Sequence, residues 1–164
     1  MQIWRLPNVN SGQMGDLVVM TTQLFDNGPA AGVPGALSGT SSQLAGILST
    51  VADLELAILI GSRATGTARL DSDWDIAIQW NRGIDFVQQL ASTEQLRRAL
   101  AEKLGVSEQT VDLIDLPAAR LAMRAVVAEE GLPIRGGDSL AWHRFLQRTW
   151  RELEEQYWDQ IYEA

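Results

Sequence analysis

An almost wholly apolar run, Leu54-Glu55-Leu56-Ala57-Ile58-Leu59-Ile60, passes directly into Gly61-Ser62 and, ten residues later, into Asp73-Trp74-Asp75. The run is short and has no helical stripe, so it predicts a strand covered on both faces. Gly61 ends it, and glycine lets the backbone turn sharply and a ligand approach the main chain. Ser62 suits the N-cap of a short helix over roughly Arg63 to Ala68, and its hydroxyl can also bond a phosphate oxygen. The free N–H groups and positive dipole end of that helix favour a triphosphate. Gly66, inside the segment, predicts a short and imperfect helix.

A second strand is expected through Ile76-Ala77-Ile78-Gln79-Trp80. Alternation places Asp73 and Asp75 on one face, and Trp74, Ile76, Ile78 and Trp80 on the other, toward a core. Two adjacent carboxylates repel each other, and a hard divalent cation relieves the repulsion. Magnesium prefers one or two carboxylates together with phosphate oxygens. A third carboxylate is needed to activate a hydroxyl or hold a second ion. The run Thr110-Val111-Asp112-Leu113-Ile114-Asp115-Leu116 supplies a candidate strand. Asp112 and Asp115 fall on opposite faces of it. Asp115 adjoins Pro117, which suits the first turn of a following helix, so its expected role is to sit at that helix N-terminus. Asp112 is therefore taken as the third acid. A bare Gly-Ser is common, and a bare Asp-x-Asp marks many solvated turns and calcium loops. The combination specifies a site for a metal-bound nucleoside triphosphate.

The stretch from Gly61-Ser62-Arg63-Ala64-Thr65-Gly66-Thr67-Ala68-Arg69 through Asp73-Trp74-Asp75 resembles the signature of the nucleotidyltransferase superfamily related to DNA polymerase beta. Within it, the match is best to the minimal nucleotidyltransferases, small bacterial proteins often paired with HEPN-domain toxins. Val111 to Leu116 is similar to that family's third-acid strand, and Ala128 to Ile134 to its later helix end and turn. The resemblance spans about Gln43 to Asp159. It implies an α/β (α+β) nucleotidyltransferase fold, a small mixed β-sheet flanked by helices. It also implies Mg2+ and transfer of a nucleoside monophosphate, AMP if the donor is ATP. Asp73 and Asp75 would bind metal, with Asp112 as third ligand or base, and Gly61 and Ser62 would hold the phosphates. Family paralogues modify a tyrosine of a partner toxin, so protein nucleotidylation enters as an implication. Two other functions compete: a small-molecule nucleotidyltransferase of the aminoglycoside-modifying type, and a non-catalytic antitoxin that masks its partner by binding.

Composition narrows the partners. The 164 residues support one compact domain with a real core. The formal net charge of −8 makes the chain a poor general binder of nucleic acid, because phosphate contacts dominate that affinity. Arg63, Arg69 and Arg82 could form a local basic patch beside the triphosphate. Arg63 and Arg69 lie between the phosphate turn and the acid pair, where they can reach nucleotide or partner, or pair with Asp71. The absence of cysteine excludes disulfide, thiol and zinc–cysteine chemistry. No apolar stretch is long enough to span a bilayer, and the N-terminus lacks a signal-like core. A cytoplasmic protein is expected.

Residues 1–41 read as a loose N-terminal extension, with a short strand through Leu17-Val18-Val19-Met20, ahead of a nucleotidyltransferase domain over 42–164. Helices are expected over Ser42 to Ala52, over Ser92 to Lys103 with a Ser92/Gln95 capping box and a Gly105 stop, and over Pro117 to Glu130. Asp138 can cap a last helix reaching about Tyr162. Its stripe of Trp142, Phe145, Leu146, Thr149, Trp150, Leu153, Tyr157 and Ile161 suits a core-facing helix. Trp158 and Tyr162 widen the stripe toward a partner surface. His143, the single histidine, reads as a helix-surface residue.

Overall fold

The computed structural model describes residues 37–162, apart from the side chains of 37–41 and of residue 160. The expected N-terminal extension and its Leu17–Met20 strand fall almost wholly outside the described residues.

Four strands form one mixed sheet. They are β1 (Leu54–Ile60), β2 (Trp74–Trp80), β3 (Val111–Asp115) and β4 (Leu132–Arg135), in the spatial order β3-β2-β1-β4. β1 pairs antiparallel with both β2 and β4, whereas β2 and β3 run parallel. β1 is central and, Glu55 excepted, buried along its whole length, as its apolar run requires.

Two hydrophobic clusters lie on opposite faces of this sheet. On one face, α1 (Leu37–Ser49) and α3 (Phe86–Leu104) cover Leu54, Ala57 and Leu59 of β1 and Trp74, Ile76, Ile78 and Trp80 of β2. On the other, α4 (Leu121–Glu130) and α5 (Leu140–Tyr162) cover Leu56, Ile58, Ile60 and Ala77. A β-bulge between Leu54 and Leu56 interrupts the simple alternation of β1. On β2 the alternation is clean. Every bulky residue points to the first face, and Asp75, Ala77 and Gln79 are left for the second.

Arginines tie the layers together. Arg135 of β4 donates to the carbonyls of Leu48 and Val51 at the C-terminal end of α1. Arg97 of α3 donates to Val111 O at 2.7 Å, fixing the start of β3. Arg124 of α4 grips Glu152 of α5 with both terminal nitrogens, at 3.1 and 2.5 Å. That hydrogen bond lowers the pKa of Glu152 and raises that of Arg124.

Several boundaries differ from the sequence-based expectation. α1 begins at Leu37 and stops at Ser49. α3 begins at Phe86, where Asp85 Oδ1 accepts from Gln88 N at 2.9 Å, so Ser92 lies inside the helix and its capping box is not used. Gly105 ends α3 in the left-handed conformation, as expected. The segment from Pro117 is not one helix. A 3-10 turn, Leu116–Ala118, precedes α4. At the start of α5 the side chain that accepts a cap bond is Ser139, from Trp142 N at 3.2 Å, in place of Asp138. β4 was not anticipated.

Candidate active site

The acids meet at one end of the parallel β2–β3 pair. In the register of these strands Asp75 stands opposite Asp112, so both side chains project from the same sheet face on adjacent strands. Asp73 lies just ahead of β2 and shares the parity of Asp75. Asp73 and Asp112 are exposed, and Asp75 is half-buried. Asp75 carries the electrostatic cost of the grouping. Burial raises its pKa above the ordinary carboxylate value, the carboxylates of Asp112 and Asp73 raise it further, and the Arg63 cation partly offsets them.

Gly61 forms the floor of this group. Ile60, the last residue of β1, pairs with Asp75, which brings the next residue beneath the Asp75 carboxylate. Gly61 has φ of +68°, and a Cβ there would lie 2.7 Å from Asp75 Oδ2. Both the backbone conformation and the close approach therefore require glycine. It opens a five-residue helix, α2 (Gly61–Thr65), closed by Gly66 in the left-handed conformation. Ser62 sits inside the first turn of α2 rather than at its cap. The cap position falls on Ile60, which makes no side-chain bond.

Arg63 turns away from the expected nucleotide role and toward the chain itself. Its Nε donates to the carbonyls of Ser72 and Asp73 at 3.1 and 3.0 Å, and its guanidinium lies 3.9 Å from the centroid of the Trp74 ring. Arg63 thus holds the loop that delivers Asp73 and Asp75, and it does so through backbone atoms that no local pattern identifies. Arg69 is exposed, and its backbone N–H donates to Ser72 Oγ at 2.8 Å. Arg82 is exposed beyond the end of β2 remote from Asp75.

Asp115 stands apart from the acid group. It pairs with Ile78, three positions along the strand from Asp75, and its side chain meets Gln89 of α3, Nε2 to Oδ2 at 3.4 Å. Burial raises its pKa, and the Gln89 bond works against that. The expected placement as a helix cap does not hold, since Asp115 makes no side-chain cap bond to the 3-10 turn that follows it. His143 is exposed, with Nδ1 2.8 Å from Ser139 O.

Among the described residues no three acidic, histidine or cysteine side chains converge closely enough to cage an ion as they stand. The donor chemistry nevertheless fits one. Asp73, Asp75 and Asp112 offer oxygen alone, as hard divalent cations require, and the mutual repulsion at Asp75 is what a bound cation would relieve.

The family model described as "Polymerase beta, Nucleotidyltransferase" matches residues 42–139, more than half of the chain. The chain belongs to this nucleotidyltransferase family. The match encloses Gly61, Asp73, Asp75 and Asp112. A crystal structure of a toxin–antitoxin with AMP-PNP is 25% identical, with a TM-score of 0.57, over 74% of this chain and 93% of that one. A tri-AMPylated Shewanella oneidensis HEPN toxin in complex with its MNT antitoxin matches at 22% identity and a TM-score of 0.55, over 76% and 93%. An MntA–HepT toxin–antitoxin matches at 23% and 0.51, over 74% and 91%. At those last two identities the likeness is one of fold. No curated protein matches the chain. No helix among the described residues of this nucleotidyltransferase is long and apolar enough to cross a membrane.

Proposed function

We propose that this nucleotidyltransferase moves AMP from ATP to a hydroxyl of a HEPN-type partner toxin in the cytoplasm, and so acts as its antitoxin. The observation that carries the reading is the register of Asp75 against Asp112 above Gly61, at an open edge of the sheet. Asp73 and Asp75 would hold magnesium, with Asp112 as third ligand or as base toward the accepting hydroxyl. When bound, the ion would neutralise triphosphate oxygens as pyrophosphate leaves. Gly61 and Ser62 would border the phosphates, and Arg63 would keep the acid loop in place. Because Asp73 and Asp112 are exposed, an acceptor side chain on a macromolecule can reach the acids without entering a deep cleft. The similarity to a toxin–antitoxin holding AMP-PNP favours ATP as donor and a toxin as acceptor. The intact acid trio favours modification over passive masking.

The test is the intact mass of the co-expressed partner. Wild-type protein should add whole AMP units to the toxin, and Asp112→Asn should add none. A toxin that is silenced yet unmodified by both proteins would replace the enzyme with a binding module.

A further inference from the structure

The last helix carries two stripes. The inner one, Trp142, Phe145 and Thr149, is buried against the sheet and α4. The outer one is Arg144, Arg148, Arg151, Glu155, Trp158 and Tyr162, at alternating spacings of four and three, which keeps all six on one side of α5. All six are exposed. Arg144 and Arg148 take part in no hydrogen bond or ion pair among the described residues, and Arg151 has only a loose 3.9 Å contact to Glu155. A shallow cleft of about 220 Å³ opens between Arg144, Gln147, Arg148 and Arg151. At the other end Trp158 and Tyr162 stack into an aromatic plate, with centroids 5.9 Å apart and an interplanar angle of 23°.

This stripe is complementary to itself when reversed. Reflection about the level of Leu153 sets Arg144 opposite Tyr162, Arg148 opposite Trp158, and Arg151 opposite Glu155. We propose that two copies of this chain pair antiparallel through the outer faces of α5, about a twofold axis at Leu153. Each arginine cleft then receives the partner copy's aromatic plate, in cation–π contacts, and two Arg–Glu pairs flank the axis. Such an interface is isologous, the commonest form of homodimer. A parallel pair would set arginine against arginine and is disfavoured. An acidic helix from another protein would match the arginine half but leave the aromatic plate without a cation. The contact extends about 27 Å along the helix, so it is a small interface and should dissociate on dilution. The proposal is independent of the transfer reaction, since none of these residues belongs to the acid site.

Sedimentation velocity of the full chain across the micromolar range tests it. The wild type should pass from monomer to dimer as concentration rises. Arg148→Glu, at a fully solvated position that leaves the fold intact, should weaken pairing by about tenfold or more. Arg151→Glu and Glu155→Arg should each weaken it by placing like charges together, and the double variant should recover it. That recovery separates a specific pair from general loss of charge. A chain that stays monomeric at every concentration overturns the proposal, as does a double variant that fails to recover. A monomer that instead uses this face to bind an acidic acceptor protein also overturns it.

Discussion

The two faces of the sheet are built on opposite principles. Toward α1 and α3, β2 presents Trp74, Ile76, Ile78 and Trp80, all buried in one apolar cluster. Toward α4 and α5 the same strand presents Asp75, Ala77 and Gln79. One strand therefore serves as wall on one side and as chemical platform on the other. The bulky face keeps its shape through close packing, which tolerates little change in volume. The acid face instead accepts electrostatic strain at Asp75, which it can bear because the neighbouring strand is anchored from the other side. Stability and chemistry are separated by a two-residue period.

The largest effect expected from breaking this division is on transfer. Asp75→Asn should lower the rate by about 10³-fold or more, because charge stabilisation at the phosphate depends on its carboxylate. A quantitative AMP-transfer assay with the fold checked by circular dichroism measures this. Retention of wild-type rates would remove Asp75 from the chemistry.

The packed face should show the converse. Ile76 is fully buried beside Asp75 in sequence but on the other side of the sheet. Ile76→Ala should cost about 2–5 kcal/mol in denaturant unfolding, while transfer by the protein still folded stays within severalfold of wild type. Loss of transfer without loss of stability would show that the two faces are not separate.

Arg63 bridges the faces, since it stacks on Trp74 and ties down the carbonyl of Asp73. Arg63→Ala should lower kcat by about 10- to 100-fold, through misplacement of the acid pair. The KM for ATP should change little. A raised KM at unchanged kcat would return Arg63 to the nucleotide-binding role that its position in the sequence suggests.

Much of this division was legible in the sequence. The β1 run, the glycine turn and the alternation of Asp73-Trp74-Asp75-Ile76 are local patterns, and they place the strands and the two faces correctly. The choice of Asp112 over Asp115 rested on Pro117. The structure gives a different reason, the parallel register with Asp75, and places Asp115 against Gln89 of α3. β4 was hidden because it is four residues long and contains Pro133, which argues against a strand. It survives because it lies at the sheet edge. The start of α3 was misplaced because Ser92 and Gln95 have capping-box spacing, while Asp85 caps the helix one and a half turns earlier. The part played by Arg63 depends on carbonyls nine and ten residues downstream, which only the folded loop brings near. The last helix carries both of its sequence readings, one in each half. Trp142, Phe145 and Thr149 are core, whereas Trp158, Ile161 and Tyr162 are exposed.

The central claim is that Asp73, Asp75 and Asp112 are grouped at a cost in order to hold a cation with a triphosphate. Thermal melting of wild type and Asp75→Asn, each alone and with magnesium plus a non-hydrolysable ATP analogue, tests it most directly. Because burial and the neighbouring carboxylates raise the pKa of Asp75, the folded protein holds that proton more tightly than the unfolded chain. The wild-type apoprotein therefore loses stability as pH rises from the ordinary carboxylate range through the raised pKa, and the loss is complete at neutral pH. Alone at neutral pH, Asp75→Asn should melt above wild type by about 1–3 °C. With magnesium and nucleotide the wild type should rise and Asp75→Asn should not, so their order reverses. An equal rise in both proteins would contradict the account.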